Sequence, residues 1–289
     1  EIILVDDGST DSSGEICDQY AQEDERIKVL HIDNGGQSRA RNIGVQASSS
    51  DWIMFLDSDD YYDLKAVEYL VALRDKYAVD LVVTSIVEVR NYQTELNTDD
   101  ISLGNSEKLD RYTGLIRMFY GNSVGTHPGG KLYKKEILLQ YPYPEGMIYE
   151  DLAMAYEHIH YCPEIAVGYR SVYKYYRRMG STVNSKYSER LLNFYKAIEW
   201  NRSYVERDYP NDQEMRRALN VRYVFNGLHV VHAMLSSGMY SDVNKIRKEY
   251  TRYFNDIIPN PNITGKNKVK YLMLLVSPKL YEKIREKMG

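Results

Sequence analysis

Cysteine is almost absent: Cys17 and Cys162 are the only two in 289 residues. So few and so far apart, they offer neither a disulfide framework nor a zinc-binding spacing, and a reducing cytoplasm is the simpler compartment. Long apolar runs are missing as well. The strongest near the end, Tyr271 to Val276, is much too short to span a bilayer. There is no excess of base, since 37 Lys and Arg face 41 Asp and Glu for a net charge of −4. That balance argues against a dedicated nucleic-acid binder. No secretory signal, internal repeat or low-complexity tract is visible. No methionine stands ahead of Glu1 and the chain opens inside a strand, so an upstream segment is expected. What remains is an ordinary globular composition, 43% hydrophobic and 27% charged, in a chain long enough for one large domain or two small ones.

The first half alternates strand and helix patterns. Strands are expected at Ile2–Val5, Lys28–Ile32, Trp52–Leu56 and Leu81–Ile86. Helices are expected at Ser12–Glu23, with Asp11 as its cap, and at Ser38–Gln46 and Leu64–Tyr77. Short βα connections of this kind predict a mostly parallel sheet with helices on both faces. Glu88 to Glu107 is polar and reads as a hairpin and loop. Beyond Gly180 only helical patterns remain, at Tyr187–Arg207, Glu214–Leu235, Ser241–Asn255 and Lys266–Lys287.

Two apolar strands end abruptly in acids. The first gives Asp6, Asp7 and Gly8, and the second gives Asp57, Ser58, Asp59 and Asp60. In open α/β sheets ligands sit beyond the carboxyl ends of the strands. Three carboxylates within four residues repel one another unless a cation or donor groups compensate, and hard oxygen ligands at that density suit Mg²⁺ or Mn²⁺. A solvated acidic turn, or a cap for the following helix, is the plainer alternative. A phospho-receiver domain also opens with a strand and two acids. In that reading Asp57 accepts the phosphoryl group, with Thr84 and Lys108 as its partners. The segment Asn34-Gly-Gly-Gln-Ser-Arg-Ala-Arg-Asn-Ile-Gly44 points elsewhere. It is a glycine turn feeding a helix whose first turn carries Ser38, Arg39 and Arg41, which suits a diphosphate. A receiver domain has no use for it, and Lys108 is expected in a loop-to-helix stretch.

Taken together, Val-Asp-Asp-Gly-Ser-Thr-Asp, Gly-Gly-Gln-Ser-Arg-Ala-Arg-Asn and Leu-Asp-Ser-Asp-Asp resemble, in order and spacing, the family 2 glycosyltransferases that build bacterial capsular, exopolysaccharide and teichoic-acid sugars. The resemblance implies an α/β GT-A fold over residues 1–185, a Rossmann-like, mostly parallel sheet. A helical region follows over 186–289. It also implies a UDP-sugar donor, a saccharide or lipid-linked acceptor, an inverting mechanism, and Mn²⁺ or Mg²⁺. By the same analogy Asp7, or Asp6, contacts the uracil or ribose. Gly36, Ser38, Arg41 and Ser58 line the nucleotide, Asp57 holds the ribose, and Asp59 with Asp57 holds the metal. Arg39 departs from the family, which has a small residue there, and would place a charge near the phosphates. The family begins with a further strand and helix, the segment expected upstream. Without it the chain could be an inactive fragment.

Glu150 and Asp151 open a helix predicted over Leu152–His160, where acids are ordinary capping residues. The resemblance makes Asp151 the base that takes the acceptor hydroxyl proton, with Glu150 in support. Arg178 and Ser181, in Tyr-Lys-Tyr-Tyr-Arg-Arg-Met-Gly-Ser, match a family loop that neutralises the leaving diphosphate. An edge strand with exposed bases reads equally well. His158, His160, His229 and His232 show no ligand spacing. Residues 266–287 carry seven bases against Glu282 and Glu286, interleaved with apolar residues. Such a tail fits peripheral contact with the inner face of a membrane, a dimer surface, or the solvated side of a packed helical subdomain. The 28 tyrosines decide nothing.

Overall fold

The computed structural model describes residues 1–90, 102–177 and 187–288. Arg178 and Ser181, and much of the stretch expected as a hairpin, fall outside the described residues. The chain divides into two compact units. The first comprises residues 1–115 with 123–177, and the second residues 116–122 with 178–289.

In the first unit β1 (Ile2–Asp6), α1 (Ser13–Glu23), β2 (Ile27–His31) and α2 (Gln37–Ala47) follow the predicted alternation. β1 and β2 pair in parallel, Ile2 opposite Ile27 through Asp6 opposite His31. Ser12, not Asp11, precedes α1, while Asp11 accepts the Ser13 N–H at 3.0 Å. β3 is shorter than expected, Trp52–Ile53, because Phe55 leaves the ladder for a single bridge to Gly129. β4 (Tyr61–Tyr62), α3 (Ala66–Tyr77), β5 (Leu81–Val89), β6 (Ser106–Asp110), α4 (Arg111–Tyr120, its second half counted with the second unit), β7 (Lys131–Lys134), α5 (Lys135–Gln140), α6 (Glu150–Tyr161) and β8 (Glu164–Tyr176) follow. Their six strands run β3-β7-β5-β8-β4, with β6 also on β8. Only β5–β8 is parallel here, so the sheet is mixed, the short late strands being antiparallel.

The core forms where the apolar stripe of α3 meets this sheet. Ala66, Tyr69, Leu70 and Leu73, spaced at helical intervals, pack on Val82 of β5, Leu132 of β7 and Ala166 and Val172 of β8. β5 is buried throughout its first half, where three apolar residues are followed by Thr84 with its hydroxyl hydrogen-bonded. Lys108 lies within β6 and pairs with Glu164 at 2.7 Å, which corrects its expected place in a loop. Thr84 is buried, its hydroxyl donating to the Gly130 carbonyl at 2.6 Å. The receiver trio is therefore not assembled.

The second unit is helical: α7 (Asn193–Asp208), α8 (Gln213–Ser236), α9 (Tyr240–Tyr250), the short α10 (Phe254–Ile257), α11 (Gly265–Val276) and α12 (Pro278–Met288). Asp212 caps α8 by accepting the Met215 N–H, and Thr264 caps α11 by accepting from Asn267. Buried Phe194, Tyr250 and Tyr271 lie at its centre. Among the described residues no helix is long and apolar enough to cross a membrane.

One ion cluster ties β1, β2 and α1 together. His31 Nδ1 meets Asp6 Oδ2 at 2.8 Å, and Nε2 meets Asp18 Oδ1 at 3.1 Å. The hydrogen bond to Asp6, then that to Asp18, raises the His31 pKa above 6.5. Asp6 is lowered to about 2, through hydrogen bonds from Ser9 and then His31. A raised histidine stabilises the fold fully below its ordinary pKa and loses that contribution as pH rises through the folded value. A lowered aspartate contributes above its ordinary pKa and loses it on acidification. The contribution of the cluster is therefore greatest between the ordinary Asp and His values. Thermal midpoints measured across pH for the chain and for His31→Gln should converge above neutrality and separate below it. Parallel curves would show the cluster to be inert.

Candidate functional site

The glycine turn ahead of α2 is built around a carboxylate. Asp7 accepts the Gly35 N–H at 2.8 Å and the Gly36 N–H at 2.7 Å, and Asn34 donates to the Asp7 carbonyl at 3.0 Å. Gly8 lies at φ +71°, and a Cβ there would sit 2.8 Å from the Asn34 nitrogen, so the two turns approach too closely for a side chain. Asp7 thus occupies part of the anion-binding helix start that the sequence offers to a diphosphate. Ser38 is buried, and its hydroxyl has no hydrogen-bond partner among the described residues. Arg39 reaches back to the Asp33 carbonyl at 3.0 Å, folding over Gly35.

Arg41, about half a helical turn further, faces the opposite way. Its Nη1 donates to Glu150 Oε1 at 2.6 Å and its Nη2 to Asp57 Oδ1 at 2.9 Å, while its guanidinium lies over the Tyr143 ring at 5.6 Å. Gln37 donates to the same Glu150 oxygen at 2.6 Å. Asn42 clamps the backbone of Tyr143, donating to its carbonyl and accepting from its N–H. Three segments separated widely in sequence are thereby tied together: α2, the acidic turn after β3, and the start of α6.

The two acids on Arg41 shift in opposite directions. Burial raises the Glu150 carboxyl, the neighbouring Asp151 charge adds to this, and Arg41 only partly opposes it. Burial also acts to raise Asp57, but the hydrogen bond from His127 and the Arg41 charge outweigh it, holding this carboxyl well below the usual range. The partners explain the difference: Asp57 accepts from His127 as well as from Arg41, whereas Glu150 has the Asp151 charge beside it. Glu150 keeps its second oxygen buried without a hydrogen bond. Among the described residues Asp151 accepts from the Thr126 hydroxyl, at 3.0 Å. Tyr149, directly before this acid pair, is held at φ +66°, an uncommon conformation for a bulky residue.

Asp57, Asp60 and His127 form a group whose potential ligand atoms lie within 4.8 Å of one another. Asp59, half-buried on the same turn, is not among the three, and Ser58 is exposed. Asp60 is buried and accepts from the Tyr173 hydroxyl at 2.6 Å and the Tyr176 N–H at 2.8 Å. Burial raises its pKa. The two carboxylates fit a hard divalent cation, each oxygen retaining a lone pair beyond the bond it accepts. His127 fits it less well. Its Nδ1 accepts the Gly129 N–H at 3.0 Å, so the neutral ring carries its proton on Nε2, which faces Asp57 Oδ2 at 3.5 Å as a donor. Asp60 belongs to the acidic cluster visible in the sequence, though nothing local ranks it above Asp59, while His127 is marked by no spacing because Asp57 lies far from it along the chain. The available signal was Gly129-Gly130, where a Cβ on Gly129 would fall 2.3 Å from the Tyr173 ring.

Removing Arg41 leaves a buried carboxylate unpaired. Arg41→Met should cost about 3–5 kcal/mol in urea denaturation, nearer the lower figure because Asp57 is partly exposed. Arg39→Met, which loses one exposed hydrogen bond, should cost about 1 kcal/mol. Gly129→Ala forces the Tyr173 ring aside and should cost about 1–3 kcal/mol. Equal losses for Arg39 and Arg41 would deny the bridge its structural role.

Comparison with known proteins supplies the family. Glycosyl transferase family 2 matches residues 1–141. Glycosyltransferase GlyG of Streptococcus pneumoniae is 30% identical over 214 residues, covering 71% of this chain and 67% of GlyG. The minor teichoic acid biosynthesis protein GgaA of Bacillus subtilis is 26% identical over 228 residues, 78% of this chain but 46% of that protein. Among solved structures, S. aureus TarS 1–349 in complex with UDP-GlcNAc superposes with a TM-score of 0.66 at 18% identity, over 98% of this chain and 79% of that one. At that identity the likeness speaks for the fold, which is GT-A. The alternating β1–α2 segment, the acidic turn after β3 and this likeness agree, and the chain belongs to glycosyl transferase family 2.

Proposed function

We propose that this chain is an inverting, cation-dependent glycosyltransferase. It takes a sugar from a UDP-sugar and passes it to a saccharide or lipid-linked acceptor in bacterial surface polysaccharide synthesis. The observation that carries the reading is the Arg41 bridge, which joins Asp57 of the Leu-Asp-Ser-Asp-Asp turn and Glu150, the first residue of α6 and neighbour of Asp151, through one guanidinium. The UDP-GlcNAc and UDP bound by TarS support a UDP-linked donor, and the name of GgaA supports a cell-envelope polymer.

In this reading Asp57 and Asp60 would hold a divalent cation, with Asp59 beside them on the same turn, and the chemistry it would supply is to offset charge on the departing diphosphate. Asp7 shapes the glycine turn from which Gly36 and α2 approach the nucleotide, with Asp6 behind it. Arg41 keeps Asp57 aimed, and Glu150 fixes Arg41 in turn. Asp151, bonded to a neutral hydroxyl, is free to take the proton from the acceptor oxygen as that oxygen bonds to the anomeric carbon. The bond to the diphosphate breaks on the opposite face, so the configuration inverts. Arg178 and Ser181 are assigned to the diphosphate by family analogy alone.

Calorimetric titration of UDP should show binding that requires Mn²⁺ or Mg²⁺ and is lost in Asp57→Asn and weakened in Asp59→Ala. Binding indifferent to metal and to both variants would overturn the cation assignment. With a turned-over UDP-sugar, Asp151→Asn should lower kcat by about 10²–10⁴-fold with little change in UDP affinity. An unchanged kcat would remove Asp151 as the base.

A further inference from the structure

α11 is apolar on two sides. A surface helix ordinarily buries one apolar stripe and turns a polar face to water. α11 does bury Tyr271 and Leu274, and the Tyr271 hydroxyl donates to the Tyr250 carbonyl at 2.6 Å. Its outward side is not polar, however. Val269, Leu272 and Val276 are 45%, 39% and 69% exposed. At the helical repeat these three fall within about 60° of arc. Leu280 on α12 adds a further exposed apolar side chain, at 40%.

Lysines frame this stripe. By the same repeat Lys266 and Lys270 lie on one flank and Lys268 on the other, and α11 contains no acidic residue. Lys279 and Lys283 extend the basic rim onto α12, and of the two acids there, Glu282 and Glu286, Glu282 is engaged by the Tyr240 hydroxyl. The helix is also fixed in its orientation. Arg247 donates to the Leu275 and Val276 carbonyls at its C-terminus, and Tyr271 anchors the inner face. The stripe therefore cannot roll inward to escape water.

We propose that the α11–α12 face docks on an anionic lipid surface. The apolar stripe enters the headgroup boundary, and the flanking lysines reach the phosphates. Charge selects this occupant. A second copy docking through the same face would set lysine row against lysine row, since a two-fold contact brings identical patches together. Nucleic acid would match the charge but leave the apolar centre without a partner. The inference does not depend on the donor site.

The test is flotation of the full chain with vesicles, in the absence of any substrate. The chain should float with vesicles of phosphatidylcholine mixed with phosphatidylglycerol, stay behind with phosphatidylcholine alone, and be released by high salt. Leu272→Asp with Val276→Asp should abolish flotation while leaving the thermal midpoint unchanged, because both side chains face outward. Replacing lysines on the rim with Gln should weaken binding by about fivefold for each one removed. Failure to float on anionic vesicles would overturn the proposal, as would equal binding to neutral ones. So would a concentration-dependent dimer that Leu272→Asp dissociates, since the face would then belong to a second copy. A chain that binds UDP but not vesicles leaves the enzyme reading intact, and the converse separates the two in the other direction.

Discussion

A single guanidinium carries the organisation of the first unit. Arg41 is almost wholly removed from water, and a buried cation costs several kcal/mol unless its attraction to partners and its hydrogen bonds repay that loss. Asp57 and Glu150 do so from opposite sides, and the Tyr143 ring closes a third. The geometry is demanding, which is why it fixes structure. α2 must present Arg41 at one rotation, the turn after β3 must end at Asp57, and α6 must begin at Glu150. A slip of one residue in any of them would bury an uncompensated charge.

The compensation is deliberately incomplete. One cation faces two carboxylates, Asp57 and Glu150, and further acids stand close by in the chain. Glu150 absorbs part of the excess by resisting ionisation, as its raised pKa indicates. Asp60 does the same, its burial offset by the Tyr173 hydroxyl and the Tyr176 amide. What remains is a group of acids held largely by neutral hydroxyl and amide donors. The hydroxyl and amide donors to Asp60 come from β8, where the pairing with β5 shifts register between Thr84 and Ile86. Such irregularities re-aim side chains near functional sites. Here the shift lies beside Thr84, which bonds Gly130, and ahead of Tyr173, which bonds Asp60.

Much of this was legible in order but not in contact. The apolar strand ending at Asp6 and the helix carrying Arg41 are local patterns, and their boundaries agree with the structure to within about two residues. The acidic turn was visible as a cluster of like charges, yet its members could not be ranked. Asp60 resembles a capping acid from its neighbours alone and is distinguished only by Tyr173 and Tyr176, more than 110 residues away. His127 has no spacing to recommend it. Its tautomer is set by the amide two residues on, and its partner Asp57 is supplied by the sheet. The strand expected through Leu56 stops at Ile53 for a similar reason. The Phe55 carbonyl accepts from the Tyr62 hydroxyl instead of a ladder amide, so a side chain ends what propensity would have continued.

The two units treat charge in opposite ways, and this bears on how a small net charge should be read. A value of −4 over the chain suggests near-neutrality everywhere, but the sum conceals segregation. In the first unit acids are gathered around one arginine and held by neutral donors. In the second, α11 gathers lysines around exposed apolar side chains with no acid of its own. Neither arrangement lowers the free energy of the isolated fold. Like charges brought together repel, and outward valine and leucine gain nothing from water. Features that oppose stability persist when something outside the chain compensates them. For the first unit the chemistry of the acids points to a cation with a diphosphate, and for the second the lysine-framed apolar stripe points to an anionic interface.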